Sequence, residues 1–451
     1  MRLYLSLKGL GAKPYQILLT TLVEARFGLM TAAMTAYGRI ITEIGISMMV
    51  GGNIKYHTRT ITTAIALETG KGEFVTGGDT DSVVNIENII GTQDKDIIIG
   101  NEKNNTLKGE GGDDTIEGGA GDDTLFGNSS DNVLKGGLGN DTLVGRQGNN
   151  TLDGGAGIDT ADYSDATENL TVDITDGTKF ISASQGTDTF KDIEGVIGGS
   201  GNDTLTGNKK ANTLIGNAGN DMLDGAGTAE ARAGEYDYLD GGDGSDTASY
   251  VEKTVAVTVD FKTNEASTAT ETDTLNSIEN AIGGSAKDTF IMNEDNVTNI
   301  IDGQGDSDNV SYVNYTTNGV RINLSTTNAQ TITTGDIDTI TNIENIIGSS
   351  KDDIFIGSSQ SNSIEGGLGN DTFIAGTDLT NDGSIESVDD GADYFDGWLG
   401  TGDWADYSVI ADDANSSTNG ITLALDSATE ALVTVNGQTG VEMEALTGVS
   451  V

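Results

Sequence analysis

Aspartate or asparagine occurs at every ninth position through an uninterrupted part of this chain. Eight nonapeptides follow one another from Gly91 to Asp162, and the clearest are GGAGDDTLF from Gly118 and GGLGNDTLV from Gly136. They share the pattern G-G-x-G-x-D-x-U-x, in which U is a large apolar residue. The first, second and fourth glycines permit positive φ angles and close approach of the backbone, so a tight turn can direct several carbonyl oxygens to one point. The spacing therefore predicts a group of oxygen ligands in every turn.

The aspartate at the sixth place adds a carboxylate to those carbonyls. Hard oxygen ligands on a flexible loop suit Ca²⁺ better than Mg²⁺, which requires stricter octahedral geometry. One large apolar side chain in nine residues gives a thin core, and the energy of binding an ion at a site absent from the unfolded chain is folding energy. We therefore expect several calcium ions to bind and to drive folding.

The last three residues of each nonapeptide predict a very short strand whose U side chain faces inward. Two nonapeptides then complete one coil of a right-handed parallel solenoid. The turns stack on two flanks, with odd-numbered repeats on the odd flank and even-numbered repeats on the even flank. A disordered linker rich in Gly and Asp is the alternative, but such a linker has no reason to keep register through eight copies.

The chain is strongly acidic, and its charge is unevenly spread. The formal net charge is −48, from 23 Lys or Arg against 71 Asp or Glu, yet residues 1–75 contain eight basic and four acidic residues. The acidic remainder repels itself when no cation is bound, and it excludes nucleic acid as a partner because a phosphate backbone needs a basic surface. The chain has no Cys, which excludes disulfides, and its single proline, Pro14, leaves the repeats free for continuous strand pairing.

A larger unit recurs around the nonapeptides. A second run begins with GGSGNDTLT at Gly198, is interrupted near 225–235 and closes with GGDGSD from Gly241. Each array ends in Asp-x-(Ala/Val)-x-Tyr, and a polar segment and an alternating strand such as Val255–Phe261 follow. The unit closes with Ile-Glu-x-x-Ile-Gly, which leads directly into new nonapeptides, so we expect the units to be coaxial. The first motif spans Asp159–Tyr163, Asp246–Tyr250, Asp308–Tyr312 and Asp403–Tyr407, and the closing motif spans 86–91, 193–198, 278–283 and 343–348, with a variant at 443–448.

These patterns predict an all-β fold, a parallel β-roll of nonapeptide repeats with interspersed wider β modules, after a short α-helical N-terminal segment. Because the last closing motif lies three residues before the end, we expect the chain to stop within a module. The expected segments are a helical 1–75, a first array at 76–165, a module with the second array at 166–250, a module with degenerate repeats at 251–312, a module with a degenerate array at 313–407 and a terminal module at 408–451.

The nonapeptide pattern resembles the haemolysin-type calcium-binding repeat of the RTX family over roughly residues 80–451. The resemblance implies secretion by a Gram-negative bacterium through type I machinery and folding as a β-roll in extracellular calcium. It also implies that each ion lies between turns two repeats apart and takes the aspartates of both turns together with backbone carbonyls. The residues so implied as metal ligands are Asp96, Asp114, Asp123, Asp141, Asp159, Asp203, Asp221, Asp237, Asp246, Asp371, Gly118, Ala120, Gly136, Gly137, Leu138, Gly139, Gly155 and Gly157.

Applied to the two flanks, the resemblance separates stronger from weaker sites in the first array. The even flank places Asp123, Asp141 and Asp159 in line. The odd flank begins with aspartates but continues with Asn132 and Asn150, which lack the charge. We therefore expect the even flank to bind calcium better.

The later turns are less regular. In the second run, Asp203, Asp221 and Asp246 share a flank opposite Asn212 and Asp237. Beyond them the turn before Asp288 has Ala in place of the third glycine and Lys before the aspartate. The turn of Asp371 is intact, but we expect it to lack a well-matched neighbour. For these later turns, a metal ligand and a metal-free structural turn remain alternatives.

Residues 1–75 differ from the rest in charge, in a helical apolar pattern and in holding five of the eight Met. Segments such as Gly38–Gly45 and Thr62–Thr69 resemble the cytoplasmic coupling region of a tungstate- or molybdate-type ABC importer permease. Most membrane-spanning helices of such a permease are missing, and charged residues interrupt Phe27–Val50. We therefore do not extend transport to this chain. A gene fusion and a short helical cap on the solenoid are the alternatives.

Enzyme signatures are missing from the sequence. With His57 as its only histidine, the chain has no H-E-x-x-H motif, and it has no G-x-S-x-G nucleophile elbow. We expect no catalytic residues, no organic cofactor and no enzymatic activity. The sequence favours a calcium-binding β-roll that is secreted or lies at the cell surface, with a structural, adhesive or surface-layer role and with surface polysaccharide or other surface proteins as partners. The alternatives are the accessory repeats of a secreted enzyme or toxin and, for residues 1–75 alone, an inner-membrane component of an oxyanion importer.

Overall fold

The computed structural model describes residues 86–175, 177–225, 236–358, 360–374 and 394–397, and four short strands beyond them. These residues form 37 strands and no α-helix. In this part of the chain no helix is long and apolar enough to cross a membrane. The helical segment expected at 1–75 and most of the module expected at 408–451 lie outside the described residues. The chain divides into two compact units, 1–92 and 93–451, and strand β1 (Asn88–Ile90) belongs to the first.

Two columns of hydrogen-bonded strands build the second unit, and the chain alternates between them. The first column contains β2 (Ile97–Ile99), β4 (Thr115–Ala120), β6 (Val133–Leu138), β8 (Thr151–Ala156), β10 (Thr171–Asp173), β11 (Gly177–Ser182), β12 (Gly186–Lys191), β14 (Thr204–Thr206), β16 (Met222–Asp224), β18 (Thr247–Ser249), β22 (Asn280–Ile282), β24 (Ile300–Asp302), β26 (Arg321–Asn323), β27 (Gln330–Thr333), β28 (Asp336–Thr341), β30 (Ile354–Ile356), β32 (Thr372–Ile374) and β34 (Trp404–Asp406). The second column contains β3 (Thr106–Lys108), β5 (Thr124–Phe126), β7 (Thr142–Val144), β9 (Thr160–Asp162), β13 (Gly195–Ile197), β15 (Thr213–Ala218), β17 (Tyr238–Asp243), β19 (Thr258–Asp260), β20 (Glu265–Ser267), β21 (Thr272–Asn276), β23 (Thr289–Ile291), β25 (Asn309–Ser311), β29 (Asn345–Ile347), β31 (Ser363–Glu365), β33 (Tyr394–Asp396), β35 (Ile421–Leu423), β36 (Ala431–Val435) and β37 (Glu444–Thr447).

The register within each column is the one that the repeat predicts. Strands β4 and β6 pair in parallel with Ile116 opposite Leu134, and β5 and β7 pair with Leu125 opposite Leu143. Each pair is separated by two nonapeptides, which therefore complete one coil. From β3 to β8 the U side chain of each nonapeptide is fully buried, because a strand with alternating faces turns its middle residue inward. The predicted all-β parallel β-roll is confirmed.

A three-stranded meander replaces a single strand once in every module. In the first meander, β11 and β12 are antiparallel and β10 contacts β11. Strand β12 pairs in parallel with β8 of the preceding array, whereas β10 pairs in parallel with β14 of the next array. Two reversals of direction restore the original direction, so the column passes through the meander without losing its parallel order. Strands β19–β21, β26–β28 and β35–β37 form the other three meanders.

The meanders alternate between the two columns. The first and third lie in the first column, and the second and fourth lie in the second column. Each meander adds two strands to one column while the other column continues without a gap, as when β9 pairs directly with β13 beside the first meander. Alternation therefore keeps both columns at 18 strands. Two adjacent meanders in one column would instead put its turns several strand spacings of about 4.8 Å out of step with the other.

The tyrosine of Asp-x-(Ala/Val)-x-Tyr anchors the first and third meanders to the core. Tyr163 is fully buried, and its hydroxyl donates a 2.6 Å hydrogen bond to Asp188 of β12. Tyr312 is also fully buried, and its hydroxyl donates to Asp338 of β28 over 3.4 Å. Burial, followed by the neighbouring carboxylate, raises the pKa of both phenols well above 10. The phenols stay protonated and donate to Oδ2 of carboxylates whose Oδ1 already accepts a backbone amide.

The alternating strand expected at Val255–Phe261 is shorter than predicted. The side chains of Val257, Val259 and Phe261 are buried, whereas the residues between them are not, so the predicted alternation is confirmed over 256–261. Val255 would share the buried face but is exposed. Only Thr258–Asp260 forms a strand, β19. The reason is that the amide of Val257 donates to the side chain of Asp288, 2.7 Å away, rather than to a neighbouring strand. The side-chain ladder of the turns thus sets where the strand begins.

The row of buried U side chains should provide most of the stability of the first array. We predict that Leu134→Ala lowers the free energy of unfolding by about 2–5 kcal/mol, because it leaves a cavity at a fully buried position. Leu138→Ala in the same strand is the matched control, since Leu138 is 62% exposed. Urea denaturation in saturating calcium measures both variants. Equal losses in the two variants would show that the row of buried U side chains does not hold the array together.

Candidate metal centre

The sixth-place side chains of successive coils form a hydrogen-bonded ladder. On the even flank, the amide of Asn105 donates to Oδ1 of Asp123 over 2.7 Å. The amide of Asp123 donates to Oδ1 of Asp141 over 2.7 Å, and the amide of Asp141 donates to Oδ1 of Asp159 over 2.8 Å. Each carboxylate therefore gives one oxygen to the backbone of the coil before it. The structure brings together in one line the three even-flank aspartates that the sequence placed there.

The second oxygen of these carboxylates is the chemically informative atom. The Oδ2 atoms of Asp123, Asp141 and Asp159 are buried and have no hydrogen-bond partner. All three residues are at most 1% exposed. A buried carboxylate oxygen without a donor is energetically costly unless a proton or a cation compensates it. This side-chain chemistry fits a hard cation such as Ca²⁺.

The glycines of the turn make room for those oxygens. A Cβ on Gly136 would lie 2.2 Å from Oδ2 of Asp141 and 2.6 Å from the carbonyl oxygen of Gly154 in the next coil. Gly137 has a φ of +120°, and a Cβ there would lie 2.1 Å from the carbonyl oxygen of Gly119. The first glycine thus admits a carboxylate and a carbonyl to one place, and the second permits the coils to stack closely.

The backbone positions implied as ligands all lie in the stacked even turns, which span 118–123, 136–141 and 154–159. Some of their carbonyls also serve the stacking itself, because the amide of Gly121 donates to the carbonyl of Leu138 over 2.8 Å. These positions are Gly118, Ala120, Gly136, Gly137, Leu138, Gly139, Gly155 and Gly157.

The odd flank continues the ladder but satisfies its carboxylate differently. The amide of Asp96 donates to Oδ1 of Asp114 over 2.8 Å. The side-chain amide of Asn128 donates to Oδ2 of Asp114 over 2.8 Å, and the same nitrogen lies 2.8 Å from the carbonyl oxygen of Gly112 and 3.0 Å from Oδ1 of Asn132. A neutral amide therefore supplies the hydrogen bonds that the even-flank oxygens lack. The ladder of this flank continues beyond Asn150, whose amide donates to Oδ1 of Asp188 over 2.8 Å.

In the second run, the aspartates on one flank differ among themselves. The amide of Asp203 donates to Oδ1 of Asp221, and the amide of Asp221 donates to Oδ1 of Asp246, each over 2.7 Å. The Oδ2 atoms of Asp221 and Asp246 are buried without a partner. The Oδ2 atom of Asp203 instead accepts a 2.7 Å hydrogen bond from the amide of Gly199. Asp203 is thus held by the turn that carries it.

Asp237 lies on the opposite flank, where the amide of Asn212 donates to its Oδ1 over 2.7 Å. Burial and then the nearby carboxylate of Asp273 raise the pKa of Asp237 to about 8. A buried ion pair between Lys253 and Glu271 lies in the same region, with 2.5 Å between its charged atoms. Lys253 supplies a positive charge that partly offsets these carboxylates.

The expectation that Asp371 lacks a matched neighbour is wrong. The amide of Asp353 donates to Oδ1 of Asp371 over 2.9 Å, as in the intact arrays. The Oδ2 atom of Asp353 accepts from the amide of Ser349, much as Asp203 does in the second run. The nonapeptide pattern missed Asp353 because its turn, GSSKDD, has serines where the pattern requires glycines.

A further aspartate was missed as a candidate ligand. The amide of Asp288 donates to Oδ1 of Asp308 over 2.7 Å, and Oδ2 of Asp308 is buried without a partner. The signal was present in the sequence, because Asp308 opens the same Asp-x-(Ala/Val)-x-Tyr motif as Asp159 and Asp246. The degenerate turn GQGDSD obscured it.

Burial disfavours the charged form of these aspartates. Burial, opposed by the backbone hydrogen bond and reinforced by neighbouring carboxylates, raises the pKa of Asp123, Asp159 and Asp221 to about 6. The same causes raise the pKa of Asp308 to about 7. These aspartates of the metal-free ladder therefore keep their protons to a higher pH than a free aspartate, up to about pH 6–7.

No group of three or more Asp, Glu, His or Cys side chains converges within the described residues. An ion held by two aspartates of adjacent coils would have to take its remaining ligands from backbone carbonyls. Stacked glycine turns provide such carbonyls at short range, as at Gly136 and Gly154.

A profile of the family described as the RTX calcium-binding nonapeptide repeat matches residues 90–125, 126–161, 197–228 and 343–378. These segments are RTX calcium-binding repeats. The predicted resemblance is confirmed, and calcium is the ligand of RTX repeats. The RTX-like ladder of Asp288 and Asp308 lies outside the matched segments, yet it repeats the same hydrogen bond.

The N-terminal segment is similar to importer permeases. It is 54% identical over 74 residues to the tungstate uptake system permease protein TupB of Campylobacter jejuni, which is 16% of this chain and 31% of that protein. It is 46% identical over 72 residues to a probable anion ABC transporter permease protein of Haloferax volcanii, which is 15% of this chain and 31% of that protein. The chain thus spans about a third of the length of these curated relatives.

Among solved structures, the extracellular lipase LipA from Serratia marcescens is similar to this chain at 17% sequence identity. The match covers 58% of this chain and 39% of the lipase with a TM-score of 0.16. A score this low carries no argument about the activity of this chain.

The raised pKa values predict that acid can replace calcium. An unfolded aspartate releases its proton near pH 3.8, whereas the folded metal-free Asp123 and Asp308 hold theirs to about pH 6 and 7. The folded state therefore binds more protons in this window, and its stability falls as pH rises from about 4 to about 7. We predict more β structure at pH 5.5 than at pH 8 in chelator, measured by circular dichroism. Equal or lower β content at pH 5.5 would contradict these shifts.

The two flanks should respond differently to the loss of a ladder side chain. Asp141 lies between Asp123 and Asp159, so we predict that Asp141→Ala lowers both the number of bound calcium ions and the apparent affinity. Asn150→Ala is the matched control, because Asn150 also accepts a backbone amide, that of Asn132, but carries no charge. Calorimetric calcium titration measures both variants. Equal effects would show that the flanks have been assigned wrongly.

Proposed function

We propose that this protein is a calcium-dependent β-roll that acts outside the cell or at the cell surface in a structural or adhesive role. The observation that carries the proposal is the row of buried carboxylate oxygens without hydrogen-bond partners on Asp123, Asp141, Asp159, Asp221 and Asp246. A purely structural turn would satisfy them, as the amide of Gly199 satisfies Asp203.

The residues that would hold calcium are pairs of aspartates on one flank. They are Asp123 with Asp141, Asp141 with Asp159, and Asp221 with Asp246, together with carbonyls of the glycine turns. Calcium would supply the positive charge that these oxygens lack. The chain itself positions the carboxylates through the ladder and excludes water from them by stacking the coils.

The affinity expected of such calcium sites supports a location outside the cell. Extracellular calcium modules bind with dissociation constants of about 10⁻⁴–10⁻³ M, above the concentrations to which intracellular sensors respond. A chain with a net charge of −48 repels itself without cations, so it can remain unfolded during export and fold after it. This behaviour suits export by type I secretion machinery.

The role that we propose for the repeat region is mechanical rather than catalytic. Most of the buried carboxylates in the described residues are engaged by the ladder or by a tyrosine, and the partner that we propose for the outward strand faces is a surface polysaccharide or another surface protein. The permease-like segment covers too small a part of its relatives to bring their transport activity to this chain.

The proposal predicts calcium-dependent folding. In chelator at pH 7.5, residues 93–451 should lose most β structure, because charge repulsion and unpaired buried carboxylates destabilise the fold. Added Ca²⁺ should restore it with a midpoint of about 10⁻⁴–10⁻³ M, and Mg²⁺ should substitute poorly. Circular dichroism of the full chain during both titrations is the measurement. A β spectrum that is the same in chelator and in calcium would refute the proposed function.

A further inference from the structure

We infer that the glutamates of two closing motifs, Glu279 and Glu344, complete additional calcium sites with Asp246 and Asp308, the last aspartates of the preceding arrays. These junction sites lie outside the nonapeptide pattern, which contains no glutamate ligand. The inference rests on the calcium-binding function proposed above and extends it to the joints between modules.

The glutamate takes the next position in the ladder. The amide of Asp246 donates to Oε2 of Glu279 over 2.9 Å, and the amide of Asp308 donates to Oε2 of Glu344 over 3.0 Å. Within an array the same amide donates to the Oδ1 atom of an aspartate, as from Asp221 to Asp246. A carboxylate therefore follows the last aspartate at each joint, although the nonapeptide has ended.

The aspartate at each joint has the unpaired oxygen that marks the arrays. Asp246 and Asp308 are fully buried, and the Oδ2 atom of each has no hydrogen-bond partner. If these aspartates ended their ladders as structural turns, a backbone amide would pair with Oδ2, as it does in Asp203. The buried oxygen points instead to a cation.

A carbonyl of the residue just before the closing motif lies beside the same glycine as that oxygen. A Cβ on Gly241 would lie 2.5 Å from Oδ2 of Asp246 and 2.3 Å from the carbonyl oxygen of Ser277. Within the array, a Cβ on Gly216 would lie 2.2 Å from Oδ2 of Asp221 and 2.6 Å from the carbonyl oxygen of Gly241. The joint thus reproduces the pairing of carboxylate and carbonyl found inside the array.

The third joint, where Glu344 follows Asp308, has the same arrangement. A Cβ on Gly303 would lie 2.5 Å from Oδ2 of Asp308 and 2.1 Å from the carbonyl oxygen of Asn342. Ser277 and Asn342 each lie two residues before the glutamate, and their φ angles are +50° and +53°. Such angles are uncommon outside glycine and are maintained where the surroundings require them. The same strained turn therefore brings a carbonyl to both joints.

At the first joint, where Glu194 follows Asp159, the chain supplies its own cation. The amide of Asp159 donates to Oε2 of Glu194 over 2.9 Å, but the ammonium group of Lys210 pairs with Oε1 of Glu194. No salt bridge within the described residues involves Glu279 or Glu344. Lysine compensates the glutamate at the first joint. Calcium is the hard cation that suits the glutamates of the other two joints.

The test is the number of calcium ions bound by the full chain. Glu279→Gln with Glu344→Gln keeps an oxygen that can accept the ladder hydrogen bond but removes both charges. We expect this double variant to bind two fewer ions than the wild type in equilibrium dialysis against Ca²⁺. Glu265→Gln with Glu365→Gln is the matched control, because these glutamates are exposed on strands and should leave the number unchanged.

A second variant keeps the test decisive if the double variant does not fold. Lys210→Met removes the internal cation at the first joint and should raise the number of bound ions by one. An unchanged number in Glu279→Gln with Glu344→Gln overturns the inference, and so does an unchanged number in Lys210→Met if the double variant is unfolded. A wild-type chain that binds no calcium would instead overturn the proposed function itself.

Discussion

A buried carboxylate with one satisfied oxygen organises this protein. On the even flank, Oδ1 of Asp141 accepts the amide of Asp123 in the coil before it, while Oδ2 is buried without a donor. The first hydrogen bond fixes the distance and register between coils. The second oxygen has a cost that the thin core cannot easily offset, because burying an uncompensated charge costs several kcal/mol or more. Stacked glycine turns, short strands and the proposed dependence on calcium all follow from placing that carboxylate inside the turn.

Elsewhere in the chain, buried carboxylates are paired with protein groups rather than with a bound ion. A side-chain amide satisfies Asp114, a backbone amide satisfies Asp203, and a tyrosine hydroxyl satisfies Asp188. Lysine ammonium groups pair with the carboxylates of Glu194 and Glu271. These solutions occur mostly where an array starts or where a meander interrupts a column. Most of the unpaired carboxylate oxygens lie in the interiors and at the downstream ends of the arrays, which is where calcium has the most to contribute.

Much of the fold follows from the period of the sequence, because a nine-residue repeat with one large apolar residue leaves few alternatives to a two-strand coil. The position of Leu134 in the core and the alignment of Asp123 with Asp141 could be predicted for that reason. The meanders could not, because strands such as β11 and β20 have no repeat to mark them and pair antiparallel with neighbours that sequence order alone does not identify.

The chemistry of individual turns was harder to predict than their positions. Whether an aspartate is free to bind a metal depends on a donor that lies elsewhere in the chain, such as Asn128 beside Asp114. The role of Glu279 depends on a coil that begins 33 residues earlier, at Asp246. Such pairings arise from stacking, and the nonapeptide pattern does not encode them.

Amide hydrogen exchange tests the central claim most directly. The amides of Asp123 and Asp141 donate to the carboxylates of the next coil, so their protection reports whether the ladder is formed. If calcium compensates the unpaired oxygens, these amides should be protected in calcium and should exchange rapidly in chelator at pH 7.5. Equal, strong protection in both conditions would mean that the carboxylate ladder stands without a cation, and it would contradict the account.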